Sequence, residues 1–139
     1  MEAEYRFAFE EACGNVRGSI DRLEIGKDAS YIYDYKTGTA LSQAKAATNA
    51  QLQIYQLAIA RDHAVPKASG ASLVYPNTKN KKAVERRQEV IDEKAVAERI
   101  AAYVEYEKSG VIPARASDKC QRCRYRVLCP LNAQGRIFS

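Results

Sequence analysis

Gly18-Ser19-Ile20-Asp21-Arg22-Leu23-Glu24-Ile25-Gly26-Lys27-Asp28-Ala29-Ser30-Tyr31-Ile32-Tyr33-Asp34-Tyr35-Lys36-Thr37-Gly38 reads as a β-hairpin. β-Branched and aromatic residues fill both arms, and Gly26-Lys27-Asp28 supplies a turn between them. Side chains alternate along a strand, so Ile32, Asp34 and Lys36 share one face and Tyr31, Tyr33 and Tyr35 the other. With Lys27 and Asp28 at the centre of the turn, Ile25 lies opposite Ser30, Leu23 opposite Ile32 and Asp21 opposite Asp34. Two carboxylates and an ammonium then meet at one end of an apolar face.

Opposed carboxylates repel, so this pairing does not serve stability. A divalent cation reverses the argument, because a hard ion such as Mg²⁺ takes a few carboxylate oxygens and keeps several waters. Lys36, two residues beyond Asp34, is then placed to orient an attacking water or to stabilise negative charge at phosphorus. Glu24 falls on the opposite face from Asp21 and is expected to pair with Arg22.

Asp21, followed after the hairpin by Asp34-Tyr35-Lys36, resembles the core of the PD-(D/E)XK nuclease superfamily. The context Gly-x-x-Asp-Arg, then Asp-Tyr-Lys-Thr-Gly, is similar to its RecB-type exonuclease branch. Gln51-Leu52-Gln53-Ile54-Tyr55 resembles that branch's Gln-Leu-x-x-Tyr helix. Cys120-x-x-Cys123, five residues, then Cys129-Pro130 resembles the cysteine tail of its iron–sulfur members, among them AddB, AdnB and the CRISPR-associated adaptation nucleases.

The resemblance implies an α/β (α+β) fold of restriction-endonuclease type, a mixed sheet with an antiparallel meander flanked by helices. It implies Asp21, Asp34 and Lys36 as catalytic residues, with Asp21, Asp34 and the Tyr35 backbone carbonyl holding Mg²⁺ or Mn²⁺, and Gln51 and Tyr55 lining the site. Cys120, Cys123 and Cys129 become ligands of a 4Fe-4S cluster, the fourth being Cys13 or missing. Because family members begin with helical segments upstream, residues 1–139 are expected to be one nuclease core, a C-terminal fragment lacking those segments, with a cysteine-rich segment at 117–131. The activity implied is a metal-dependent DNA exonuclease of repair and recombination, partnered by a helicase domain or subunit. Two further readings share the motifs: a catalytically incomplete DNA-binding module, and a CRISPR spacer-processing nuclease.

Composition agrees with these classes. The 139 residues suit one domain, and a net charge of +5 favours a polyanionic partner. No apolar run reaches the ~18 residues of a membrane span, and no signal peptide opens the chain, so a cytoplasmic location is expected. The four cysteines, three of them clustered, fit metal or cluster ligation better than disulfides.

Along the chain, residues 4–12 alternate as a strand with Tyr5, Phe7 and Phe9 on one side, and Cys13-Gly14-Asn15 turns into the hairpin. A helix is expected up to about His63, capped by Ser42 or Asn49; its Leu52, Tyr55 and Ile59 recur at helical spacing. Ala71–Tyr75 and Ala83–Ile91 read as two strands paired as a hairpin at the sheet edge. Lys79, Lys81, Lys82, Arg86 and Arg87 there, and Arg22 on the first hairpin, are weak candidates for DNA contact; charges also protect edge strands. Asp92 caps a helix running through Lys108 and ended by Gly110, with Ala95, Val96, Ile100, Tyr103 and Val104 as its packing stripe. Ala133–Ser139 reads as a fraying tail. His63, the only histidine, is expected at the surface.

Overall fold

In the computed structural model the described residues are 2–11, 14–77, 82–111 and 113–131. The chain divides into two compact units, Met1–Ala102 and Tyr103–Ser139. The first unit carries a five-stranded sheet in sequence order: β1 (Glu2–Glu11), β2 (Gly14–Ile25), β3 (Ser30–Tyr35), β4 (Ala68–Tyr75) and β5 (Val84–Gln88). Its helices are α1 (Gln43–Ala47) and α2 (Ala50–Arg61), and α3 (Glu93–Ser109) begins in it. A mixed sheet with an antiparallel β1-β2-β3 meander and flanking helices is the α/β architecture expected.

The hairpin register follows from its turn. The Gly26 N–H donates to the Ala29 carbonyl at 2.9 Å, closing a loop centred on Lys27 and Asp28. Leu23 therefore faces Ile32 and Ile25 faces Ser30. Burial alternates along β3: Ser30, Ile32 and Asp34 are buried, whereas Tyr31, Tyr33 and Tyr35 face outward. The turn between β1 and β2 falls earlier than Cys13-Gly14-Asn15, since Gly14 already pairs with Glu11; Ala12 and Cys13 lie outside the described residues.

Two elements depart from the sequence reading. Ser42 and Asn49 both cap helices: Ser42 Oγ accepts from the Lys45 N–H of α1, and Asn49 Oδ1 from the Leu52 N–H of α2. A break at Thr48 and Asn49 thus divides the expected single helix. The fourth strand begins three residues early, at Ala68, and lies inside the sheet. It runs parallel to β3 and antiparallel to β5, so of the expected edge hairpin β5 alone lies at an edge, β1 forming the other. The helices between β3 and β4 supply the crossover that parallel strands need.

Ile20, Leu23, Ile32, Leu52, Ile59, Ala71 and Leu73 make the core between the sheet and α2. One polar side chain joins the layers. Gln88, buried at the end of β5, donates from Nε2 to the carbonyls of Ala46 at 3.0 Å, Ala47 at 3.3 Å and Asn49 at 3.1 Å, and its Oε1 accepts from Gln56 at 3.1 Å. These carbonyls belong to the end of α1 and the start of α2; those of Ala46 and Asn49 also accept the main-chain N–H groups of Asn49 and Gln53. Gln88→Leu removes the buried amide that ties these carbonyls to Gln56; urea unfolding is expected to show a loss of about 1–3 kcal/mol.

Only Val96 of the expected α3 stripe is fully buried; Ala95 is exposed and Tyr103 is 66 % exposed. Helical spacing marks an apolar stripe without saying what covers it. Asp92 does cap α3, its Oδ1 accepting from the Ala95 N–H at 3.1 Å, and Gly110 ends it with φ +67°. The second unit continues through 3₁₀ turns at Asp118–Arg122 and Arg126–Leu128. Ala133–Ser139 lies outside the described residues.

Candidate active site

The site is built at the C-terminal end of β3. Asp34 points inward from the buried face and is only 2 % exposed. Its Oδ2 sits 2.7 Å from Lys36 Nζ as an ion pair, and this buried oxygen has no other polar partner among the described residues. Asp21 leaves both ladders: its neighbours pair with β1 as Ala3↔Arg22 and Tyr5↔Ile20, and the β3 ladder stops at Arg22↔Tyr33. Opposite it Glu4 takes φ +54°, the left-handed region. Such strand irregularities re-aim side chains. The Asp21 carboxylate turns to the end of β3, where its Oδ2 accepts the Tyr35 N–H at 2.8 Å.

The helix side completes the cluster. Lys36 Nζ donates to Gln51 Oε1 at 2.8 Å, and Gln51 Nε2 donates to the Tyr55 hydroxyl at 2.7 Å, one turn along α2. Tyr55 is wedged by Phe7, whose ring meets it edge-on at 5.9 Å and whose other side lies over Gly18. A Cβ on Gly18 would fall 2.8 Å from the Phe7 ring, so the glycine makes room for that wedge. The alternation of Tyr5, Phe7 and Phe9 marks an inward face but not this neighbour.

Electrostatics follow from burial and charge. Burial pushes the Asp34 carboxyl above its ordinary range; the Lys36 ammonium pulls it back and the Asp21 charge adds to the rise. Burial works against the Lys36 charge, but Asp34 outweighs it and holds the ammonium above its usual value. Tyr55 is held above its normal range by burial and then by the Asp34 charge. A cation that is protonated at neutral pH therefore stands between a buried carboxylate and a neutral amide–phenol pair.

The structure brings together Asp21, Asp34, Lys36, Gln51 and Tyr55. It leaves Arg22 on the opposite face, bonded to Glu24 and lying 5.4 Å over the Tyr33 ring. Arg86 donates to the Leu41 carbonyl at 2.9 Å and Arg87 pairs with Glu85 at 3.2 Å, on opposite faces of β5. Lys82 is exposed; Lys79 and Lys81 lie outside the described residues. His63 is exposed, as expected.

Hard oxygens and an unbonded buried carboxylate atom fit a divalent cation. Among the described residues no three His, Cys, Asp or Glu side chains are placed to hold a metal ion, so two carboxylates need main-chain and water oxygens beside them. The cluster expectation finds no matching ligand geometry among the described residues. Cys120, Cys123 and Cys129 are free thiols lining one cavity of about 210 Å³, without ligand geometry. The 3₁₀ backbone instead engages Cys120, whose Sγ accepts the Ser117 N–H at 3.2 Å. Cys13 lies outside the described residues.

Residues 1–130 match the PD-(D/E)XK nuclease superfamily. The chain belongs to that superfamily. The side chains that the sequence reading assigns to the superfamily motif stand together at the end of β3. A solved structure titled "Crystal structure of SSO0001" is similar in fold, with a TM-score of 0.55 and 20 % identity over 94 % of this chain. The chain spans 60 % of the length of that structure. A comparison with curated proteins finds no match. No helix among the described residues is long and apolar enough to cross a membrane.

Within this cluster Gln51 touches both Lys36 and Tyr55. Gln51→Ala is expected to lower cleavage about tenfold while leaving the fold intact, through a misplaced ammonium. Steady-state rates beside a far-ultraviolet spectrum check this.

Proposed function

We propose that this superfamily member is a metal-dependent deoxyribonuclease of the RecB-type exonuclease branch, the nuclease core of a longer cytoplasmic repair or recombination protein that works with a helicase domain or subunit. The observation that carries the reading is the buried, unbonded Asp34 Oδ2 beside Lys36, with Asp21 turned to the same strand end. Asp21, Asp34 and the Tyr35 carbonyl would hold Mg²⁺ or Mn²⁺, which supplies Lewis-acid activation of water and phosphate. Lys36 holds a fixed positive charge where negative charge develops on phosphate oxygens or on an attacking hydroxide. Gln51 fixes that ammonium from one side and Asp34 from the other, so little reorganisation accompanies the reaction. Tyr55, protonated at neutral pH, keeps Gln51 in place.

Linear and covalently closed circular DNA, incubated with the chain in Mg²⁺ or Mn²⁺, test this reading. Release of nucleotides from linear ends with the circles untouched supports an exonuclease. Linearised circles would replace it with an endonuclease, and intact linear DNA at all metal concentrations would remove the nuclease reading for this chain.

A further inference from the structure

Charge is distributed unevenly along this chain. Residues 1–112 contain sixteen Lys and Arg against sixteen Asp and Glu, whereas residues 113–139 contain six against one. The whole net charge of +5 therefore resides in the last 27 residues. Among the described residues, the exposed segment holds Arg115, Lys119, Arg122, Arg124 and Arg126 with Asp118 as the lone acid.

Three arginines of the first unit pair with its own carboxylates: Arg22 with Glu24, Arg61 with Glu11 and Glu93, and Arg87 with Glu85. The charged heads of Arg115, Lys119, Arg122 and Arg124 make no ion pair among the described residues. The local fold separates two sides. Cys120, Cys123, Arg126 and Cys129 line the cavity, and Cys120 and Cys129 are half-buried. Every other described residue from 113 to 131 is exposed, including Tyr125 at 74 %. Cys120 and Cys129 are thus the half-buried positions, while Arg115, Lys119, Arg122, Arg124 and Tyr125 are exposed.

A cationic surface with a single acid among its charges selects a polyanion, and an exposed tyrosine between two arginines offers a base a stacking plane. We propose that residues 115–126 form a nucleic-acid contact surface distinct from the catalytic cluster, with Arg115, Lys119, Arg122 and Arg124 on phosphates and Tyr125 against an unpaired base. The identity of the polyanion rests on the nuclease reading; the cationic surface does not. Such a surface supplies affinity, and the chemical step stays with Asp21, Asp34 and Lys36.

The test uses the full chain carrying R115Q/K119Q/R122Q/R124Q, with fluorescent single-stranded and duplex DNA in EDTA, between about 50 and 200 mM salt. Binding of single strands is expected to weaken by about thirtyfold or more, with the slope of log K against log salt shallower by about 3. R115K/R122K/R124K keeps the parent slope, since phosphates read charge. Tyr125→Ala is expected to weaken single-strand binding about fivefold or more and to leave duplex binding alone. Affinity and slope unchanged in the glutamine variant would overturn the proposal and assign the surface to another polyanion, such as an acidic protein. So would a parent chain that does not bind DNA. A parent that binds DNA with the steep salt slope yet hydrolyses none in Mg²⁺ or Mn²⁺ keeps this inference and removes the nuclease reading.

Discussion

Asp34→Asn is expected to abolish cleavage, by about a thousandfold or more, while making the folded chain more stable at neutral pH. The two effects have one cause. Asp34 is 2 % exposed, and burial holds its carboxyl above the ordinary range. A group that binds its proton more tightly folded than unfolded contributes stability that is present at low pH and lost as pH rises through its folded value. Above that value the ionised carboxylate is a burden on the fold, because Lys36 meets it only partly and Asp21 opposes it. The amide removes the burden at pH 8, and the gain shrinks toward pH 4 as the acid takes up its proton. Thermal unfolding of both proteins at the two pH values reads this directly. A variant less stable than its parent at pH 8 would mean that the Lys36 pair outweighs burial. Cleavage by the parent follows the opposite course, rising with pH as Asp34 ionises.

Lys36→Gln is the second large effect. Its ammonium lies 2.7 Å from Asp34 Oδ2 and 2.8 Å from Gln51 Oε1, and the Asp34 partnership keeps it charged throughout the neutral range. Removing one preorganised cation from a developing negative charge lowers the chemical step by about 10²–10³-fold. Metal affinity should not fall, since the ammonium competes with any cation for the same oxygen. Single-turnover cleavage beside Mn²⁺ titration separates the two quantities. A variant within threefold of the parent rate, or one that no longer binds Mn²⁺, would assign Lys36 to holding the strand end together.

The hairpin was legible because its signals are local. Alternation from Tyr31 to Lys36 and a turn at Lys27 and Asp28 set a register that the structure keeps from Ile25↔Ser30 to Arg22↔Tyr33, one residue short of Asp21. The Gln51–Tyr55 spacing likewise places two side chains on one helix face, where the structure bonds them. Pairing between distant segments is not written locally. Ala71–Tyr75 reads as a strand, but nothing in it tells that its neighbour is β3, running parallel. Its first residues, Ala68, Ser69 and Gly70, carry little β preference, and Gly70 serves by letting the Tyr31 ring lie against it. Ser42 and Asn49 looked like rivals because one helix was expected, whereas Gln88 from a distant strand holds two short ones in place. Phe7, which wedges Tyr55, shows in the sequence only as one of three alternating aromatics. The cysteine spacing is a motif without the geometry of metal ligands among the described residues.

The account turns on Asp21, Asp34 and Lys36 acting as one metal-dependent hydrolytic site. Cleavage of end-labelled DNA followed against Mn²⁺ concentration, for the parent and Asp34→Asn, addresses that most directly. The predicted result is a saturable dependence on the ion, complete loss in EDTA and no activity of the variant at any concentration. Cleavage that persists in EDTA, or an Asp34→Asn protein that cleaves like its parent, would contradict it.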